Sequence, residues 1–184
     1  MARFARDLDP GAAALPLAGF ALAWRWLGDG RHPLPPEACA RLRVLPVAQA
    51  RAAFRLSGTL LVPGAAMAVD GTRFVLQQHD AGPGAAAQVV PWLRRCQPAM
   101  HARVWLSWEP ELALCTRWAV FVRHWEAFCY PASDDLVVFP ASLGWVLFHH
   151  HAQRLQFGRC RSGTPGAFRK ASGRVEGSVP PCAP

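Results

Sequence analysis

Residues 118–129 read WAVFVRHWEAFC, and the spacing of their apolar side chains decides the fold. Trp118, Phe121, Val122, Trp125 and Phe128 fall at i, i+3, i+4, i+7 and i+10. That spacing predicts a helix with one wide aromatic stripe. Arg117, Arg123, His124, Glu126 and Ala127 cover the other faces. Tyr130-Pro131 ends the segment, because a residue before proline disfavours the α region. A stripe of this kind can line a ligand pocket or stack bases, but at helical spacing it reads as core. A core stripe needs an apolar surface to lie on.

The flanks supply that surface. Arg103–Trp108 (RVWLSW) reads as a strand, Glu109-Pro110 as a tight turn and Leu112–Thr116 as the hairpin partner. Beyond the helix, Leu136–Phe139, Trp145–His149 and Arg154–Arg159 read as three strands of a meander, separated by Pro140–Gly144 and Ala152-Gln153. The expected fold is therefore α+β: two layers, an antiparallel sheet with the Trp-rich helix packed on one face. Trp105 and Trp108 sit an odd number of residues apart and face opposite ways. One of them must lie outside the core or beneath another layer, and an exposed tryptophan would mark an interaction surface.

Farther out the pattern weakens. Gly19–Leu27 (GFALAWRWL) alternates large and small residues and reads as a strand that could pair on the sheet edge. Pro36 opens a short helix that ends at Leu45-Pro46, and Val47–Phe54 is an alanine-rich second helix. Thr59–Val62 and Thr72–Gln77 read as a hairpin about Asp70-Gly71. Val90–Met100 holds a short helix at most, with Pro91 starting it. The chain divides into a lead-in at 1–18, a single domain at 19–160 with its best-defined part at 101–160, and a disordered basic tail at 161–184.

Composition narrows the function classes. The 184 residues suit one domain, and 52% are hydrophobic, with eight tryptophans. The formal charge is +8, yet 101–160 is neutral, with five arginines against five acids. A dedicated nucleic-acid binder concentrates charge on its structured face, so arginine-mediated nucleic-acid binding is not favoured. Every cation except Lys170 is arginine, which fits a GC-rich codon bias. The six cysteines form no C-x-x-C pair and no zinc spacing. They point to a reducing, cytoplasmic compartment. Residues 11–27 are apolar, but Asp7, Asp9, Pro16 and Arg25 spoil them as an export signal. No run is long enough for a membrane span.

Three constellations carry possible chemistry. In the Ser133-Asp134-Asp135 turn after Tyr130, two carboxylates can converge on a divalent cation or supply a general base. Such residues also favour turns because they bond nearby backbone N–H groups. In His149-His150-His151, His149 and His151 share a strand face. With Asp134 and Asp135 they form the one metal set the sequence suggests, which would permit metal-assisted hydrolysis. A strand running out into solvent is the plainer account. Cys129 is a conceivable nucleophile beside His124 or His149, although nothing nearby guarantees a lowered pKa. The P-loop, G-x-G-x-x-G, G-x-S-x-G and H-E-x-x-H motifs are absent.

The segments W-A-V-F-V-R-H-W-E-A-F-C-Y-P-A-S-D-D, W-V-L-F-H-H-H and L-Q-F-G-R resemble a group of uncharacterised bacterial proteins of the domain-of-unknown-function kind. That group carries a similar Trp-rich helix, an F-C-Y-P-x-S-D-D turn and a closing F-G-R strand. Gly19–Trp26 and the Pro35–Leu45 stretch are also similar to its N-terminal part. The resemblance covers about two thirds of the chain, omitting 57–90 and the tail, and implies no activity or cofactor. The expectation is a cytoplasmic, non-enzymatic protein-binding domain of immunity or accessory type. Its candidate binding residues are Tyr130, Ser133, Asp134, Asp135, His149 and His151. The alternatives are the metal-dependent hydrolase and nucleic-acid binding.

Overall fold

The computed structural model describes Leu8, 11–30, 32–62, 67–131 and 133–161. The expected tail, from 162 on, lies outside the described residues, as does most of 1–10. The hairpin Arg103–Glu109 (β3) and Leu112–Arg117 (β4) forms as read. The meander Leu136–Pro140 (β5), Trp145–His150 (β6) and Arg154–Cys160 (β7) follows it. Two more strands close the edges: Arg43–Val44 (β1) beside β4, and Phe74–Asp80 (β2) beside β7. The result is an antiparallel seven-stranded sheet in the order β1-β4-β3-β5-β6-β7-β2.

The helices follow the apolar periodicities. Pro36–Cys39 (α1) opens with proline in its first turn. Val47–Gly58 (α2) begins after Pro46 and buries Ala50, Ala53 and Ser57 on one face. These small side chains let the helix lie close on β3 and β4. Ala86–Cys96 (α3) buries Val89, Trp92, Leu93 and Cys96. It starts before Pro91, not at it. Pro91 is exposed on the outer side, so its ring meets water while the buried face propagates across it.

The aromatic stripe is hidden as its spacing requires. Trp118, Phe121, Val122 and Phe128 are fully buried and Trp125 nearly so. Trp118 stacks on Phe121 at 5.2 Å and meets Trp145 of β6 edge-on at 5.0 Å. One helix was expected; the segment is two, Trp118–Arg123 (α4) and Trp125–Phe128 (α5), broken at His124 (φ −124°, ψ 31°). The break keeps both halves of the stripe against the sheet.

A second layer solves the Trp105/Trp108 problem. Trp108 belongs to the core beneath α3, α4 and α5, whereas Trp105 lies in a separate core on the opposite sheet face, under α2. Buried indoles need partners for their N–H groups. Trp26, Trp105, Trp108 and Trp118 donate to the carbonyls of Ala127, Leu8, Phe128 and Gln97 at 2.7–3.2 Å. Each bond fastens a distant segment to the core.

Further expectations fail: the helix opened by Pro36 stops at Cys39, short of Leu45, and Arg43–Val44 is a strand. Gly19–Leu27 is not a strand but two 3₁₀ turns, Leu17–Gly19 and Ala23–Arg25, held by local bonds such as Trp26 N–H to the Ala23 carbonyl at 3.0 Å. Alternation would have buried Trp24 and exposed Arg25. Instead Trp24 is 55% exposed and Arg25 6%. The Thr59–Val62 strand reduces to one bridge, Leu61 with Val69. The Asp70 turn does form, with Asp70 Oδ1 accepting from Thr72 N–H at 2.9 Å. It delivers β2 to β7 rather than to 59–62, and β7 pairs with it along its full length, Phe74 to Asp80.

Candidate functional site

Asp134 and Asp135 diverge. Asp134 turns inward and is held at both carboxylate oxygens by Arg25, Nη1 on Oδ2 and Nη2 on Oδ1, the latter at 3.0 Å. Both side chains are 7% exposed. Tyr130 N–H and Ser133 Oγ donate to the same carboxylate at 2.9 and 3.1 Å. A carboxylate so saturated, and neutralised by a bidentate guanidinium, is an anchor with no lone pair left for base catalysis. The Arg25 guanidinium also lies 4.9 Å over the Tyr130 ring and 5.4 Å over Trp24. Trp24 meets Tyr130 edge-on at 5.9 Å. Tyr130 is therefore half-buried beside an exposed tryptophan.

The histidines also part company. His149 is buried, and its Nδ1 lies 3.1 Å from the Asp134 carbonyl. Burial pushes its imidazole below the ordinary histidine value. His151 is exposed, with Nδ1 3.0 Å from Asp135 Oδ1. The foreseen quartet of Asp134, Asp135, His149 and His151 thus splits into an inner pair and an outer pair. Among the described residues, the donor atoms that do gather belong to Asp135, His150 and His151. Cys129 is fully enclosed, and burial raises its thiol well above the usual range, which removes it as a nucleophile.

A large concavity lies elsewhere, at the β1 edge of the sheet. It is a groove of about 1170 Å³ lined by Arg41, Arg43, Arg103, Arg117 and His101, with Met100, Thr116 and small residues between them. No carboxylate and no Phe, Tyr or Trp ring is among its described lining residues. The register explains the arrangement. Arg43 faces Cys115, Cys115 faces Trp105, and Arg103 faces Arg117 two residues along. Directly opposed residues share a face, so Arg43, Arg103 and Arg117 project from one side of the sheet. Like charges directly opposite one another are unfavourable. Arg117 is steadied by Nη1 donating to the His101 carbonyl at 2.7 Å. Planar guanidinium forks in a water-filled groove suit carboxylate or phosphate oxygens.

Sequence reasoning missed this site because it sums charge along the chain. Residues 101–160 are neutral, yet their acids Asp134 and Asp135 lie at the other end of the strands. The Arg103 end of β3 adjoins Pro140, the far end of β5 from Asp135. Two of the groove's arginines come from residues 41–43, outside the neutral segment.

A second cavity, of about 500 Å³, lies between Leu34, Val90 of α3 and Trp125 and includes His32, His124 and Glu126. Burial and the neighbouring Arg123 push His124 below its ordinary value. No family model matches the chain, and no match to it was found among curated proteins or solved structures.

Proposed function

We propose that this chain is a non-enzymatic protein-binding domain whose arginine groove receives an acidic segment of a partner protein. The carrying observation is the set Arg43, Arg103 and Arg117 on one sheet face, with Arg41 and His101 beside them in the groove. Arginine clusters are a recurring means of reading acidic or phosphorylated motifs. A protein segment is favoured over a nucleic acid because sequence-tolerant binding of single strands uses aromatic stacking platforms, and the described lining has no Phe, Tyr or Trp. An immunity-type or accessory role is the kind of work such a surface performs. The unpaired thiols of Cys39, Cys96, Cys129 and Cys160 support a reducing cytoplasm as its setting. The motifs of 118–135 and 145–159 support kinship with the bacterial group they resemble, without adding an activity. The hydrolase reading loses its main support once Asp134 and His149 are engaged in the core.

The test is fluorescence anisotropy with a labelled ten-residue glutamate-rich peptide against single- and double-stranded DNA of equal charge. The expected result is saturable, salt-weakened binding of the peptide, lost in the Arg43→Glu/Arg117→Glu variant. Preferential binding of DNA, or peptide binding that survives the double reversal, overturns the proposal.

A further inference from the structure

We infer that the β6–β7 hairpin carries a binding site for a borderline divalent transition metal, of the Zn²⁺ or Ni²⁺ class, built from Asp135, His150 and His151. One donor atom from each of these residues lies within 4.8 Å of the other two. A tetrahedral ion with metal–ligand bonds near 2.1 Å needs donors about 3.4 Å apart. Small side-chain rotations close that gap, since His151 is exposed and the other two are half-buried.

The backbone brings the rings together, and an ion must displace the Ala152 N–H, which donates to His150 Nδ1 at 3.0 Å. His150 ends β6 and the chain reverses at once, with Gln153 in the left-handed region (φ 59°) and its N–H on the His150 carbonyl at 2.9 Å. The reversal leaves the two imidazole centroids 4.0 Å apart. Asp135 arrives from the start of the adjacent strand, β5, and its Oδ1 accepts the His151 backbone N–H at 3.0 Å. The same carboxylate lies 3.0 and 3.2 Å from His151 Nδ1. That contact puts the ring proton on Nδ1 in the ion-free protein, and an ion taken by Asp135 and His151 together displaces that proton.

The donor types select the ion. Two imidazoles suit zinc, nickel or copper, whereas magnesium and calcium demand oxygen cages. Three protein donors leave a coordination position for water or for a partner's side chain. The site is separate from the arginine groove, which lies at the opposite end of the central strands. It therefore stands or falls independently of the proposed function.

The experiment is calorimetric titration of the full chain, produced without a polyhistidine tag, with Zn²⁺ and with Mg²⁺. We expect one Zn²⁺ per chain, no comparable Mg²⁺ binding, and at least a roughly tenfold loss of affinity in His150→Ala and in His151→Ala. His32→Ala, in the cavity beside Trp125, should bind as the parent does. Nitrogen shifts of His150 and His151 in the unsubstituted protein give a second readout and should move on adding Zn²⁺. Lack of saturation up to about 1 mM Zn²⁺ overturns the inference. So does affinity unchanged in both alanine variants, which would point to the thiols instead, or equal binding of Mg²⁺.

Discussion

Arg25 and Asp134 stand 109 positions apart in the chain and form a bidentate ion pair in the interior. The pair fastens the N-terminal 3₁₀ turns to the turn that launches β5. It explains why a segment with strand-like alternation buries its arginine and exposes Trp24. A buried charge needs its partner, and that requirement overrides the pattern.

Removing one member should therefore be worse than removing both. Asp134→Asn or Arg25→Ala is expected to cost about 3–5 kcal/mol, because the remaining charge is stranded. Arg25→Met/Asp134→Leu should recover a substantial part. Urea unfolding of the three variants measures this. A double variant as unstable as the sum of the singles would contradict the account.

The groove arginines predict the reverse separation of effects. Arg43→Glu and Arg41→Glu alter exposed residues, so stability should stay within about 0.5 kcal/mol. Binding of the acidic peptide should weaken sharply in both. Thermal unfolding and anisotropy, run on the same preparations, read the two quantities.

Gly158 of β7 is enclosed: a Cβ there would lie 2.8 Å from Val69 Cγ1 and 2.9 Å from Phe74 Cβ. Gly158→Ala should push β2 off the sheet edge, costing about 1–3 kcal/mol as other overpacking does. Hydrogen exchange should show the loss concentrated in 74–80. Uniform loss of protection across all strands would argue against a local wedge.

Protonation should weaken the fold in mildly acid solution. Burial holds His149 below the ordinary value of 6.5, and His124 shifts the same way. Between the folded and unfolded values, the unfolded chain binds the extra protons. Stability should thus fall as pH drops through about 6.5 and level off once the folded values are passed. His149→Gln/His124→Gln should flatten unfolding midpoints measured between pH 7.5 and 5.5.

Thiol chemistry should distinguish core from surface. Burial pushes Cys96 up to about 11 and Cys129 well above the usual range. Both should resist a disulfide-exchange reagent in the native protein and react promptly in denaturant. Mass spectrometry of the labelled peptides identifies which cysteines were modified.

The middle of the chain was readable from residues alone. Trp118, Phe121, Trp125 and Phe128 carry a period that only a buried helix satisfies, and the five strands around them alternate or run apolar between clear turn residues. β2 was half-read: its turn is local chemistry at Asp70, but its partner is chosen across the sheet. The candidate site was least legible. Ser133, Asp134 and Asp135 were rightly placed on a turn, yet their spacing could not tell which carboxylate faces in.

The sequence by itself determined where the five strands of 103–160 and the buried aromatic stripe lie, since side-chain periodicity is set by the backbone within a few residues. Only the tertiary structure decided that Arg25 meets Asp134, that α2 covers Trp105, and that Arg41 and Arg43 join Arg103 and Arg117 in one groove. Those meetings depend on strand order and register, which follow from packing the whole apolar surface at once. Charge and coordination act through space, so their partners become visible when the sheet is assembled.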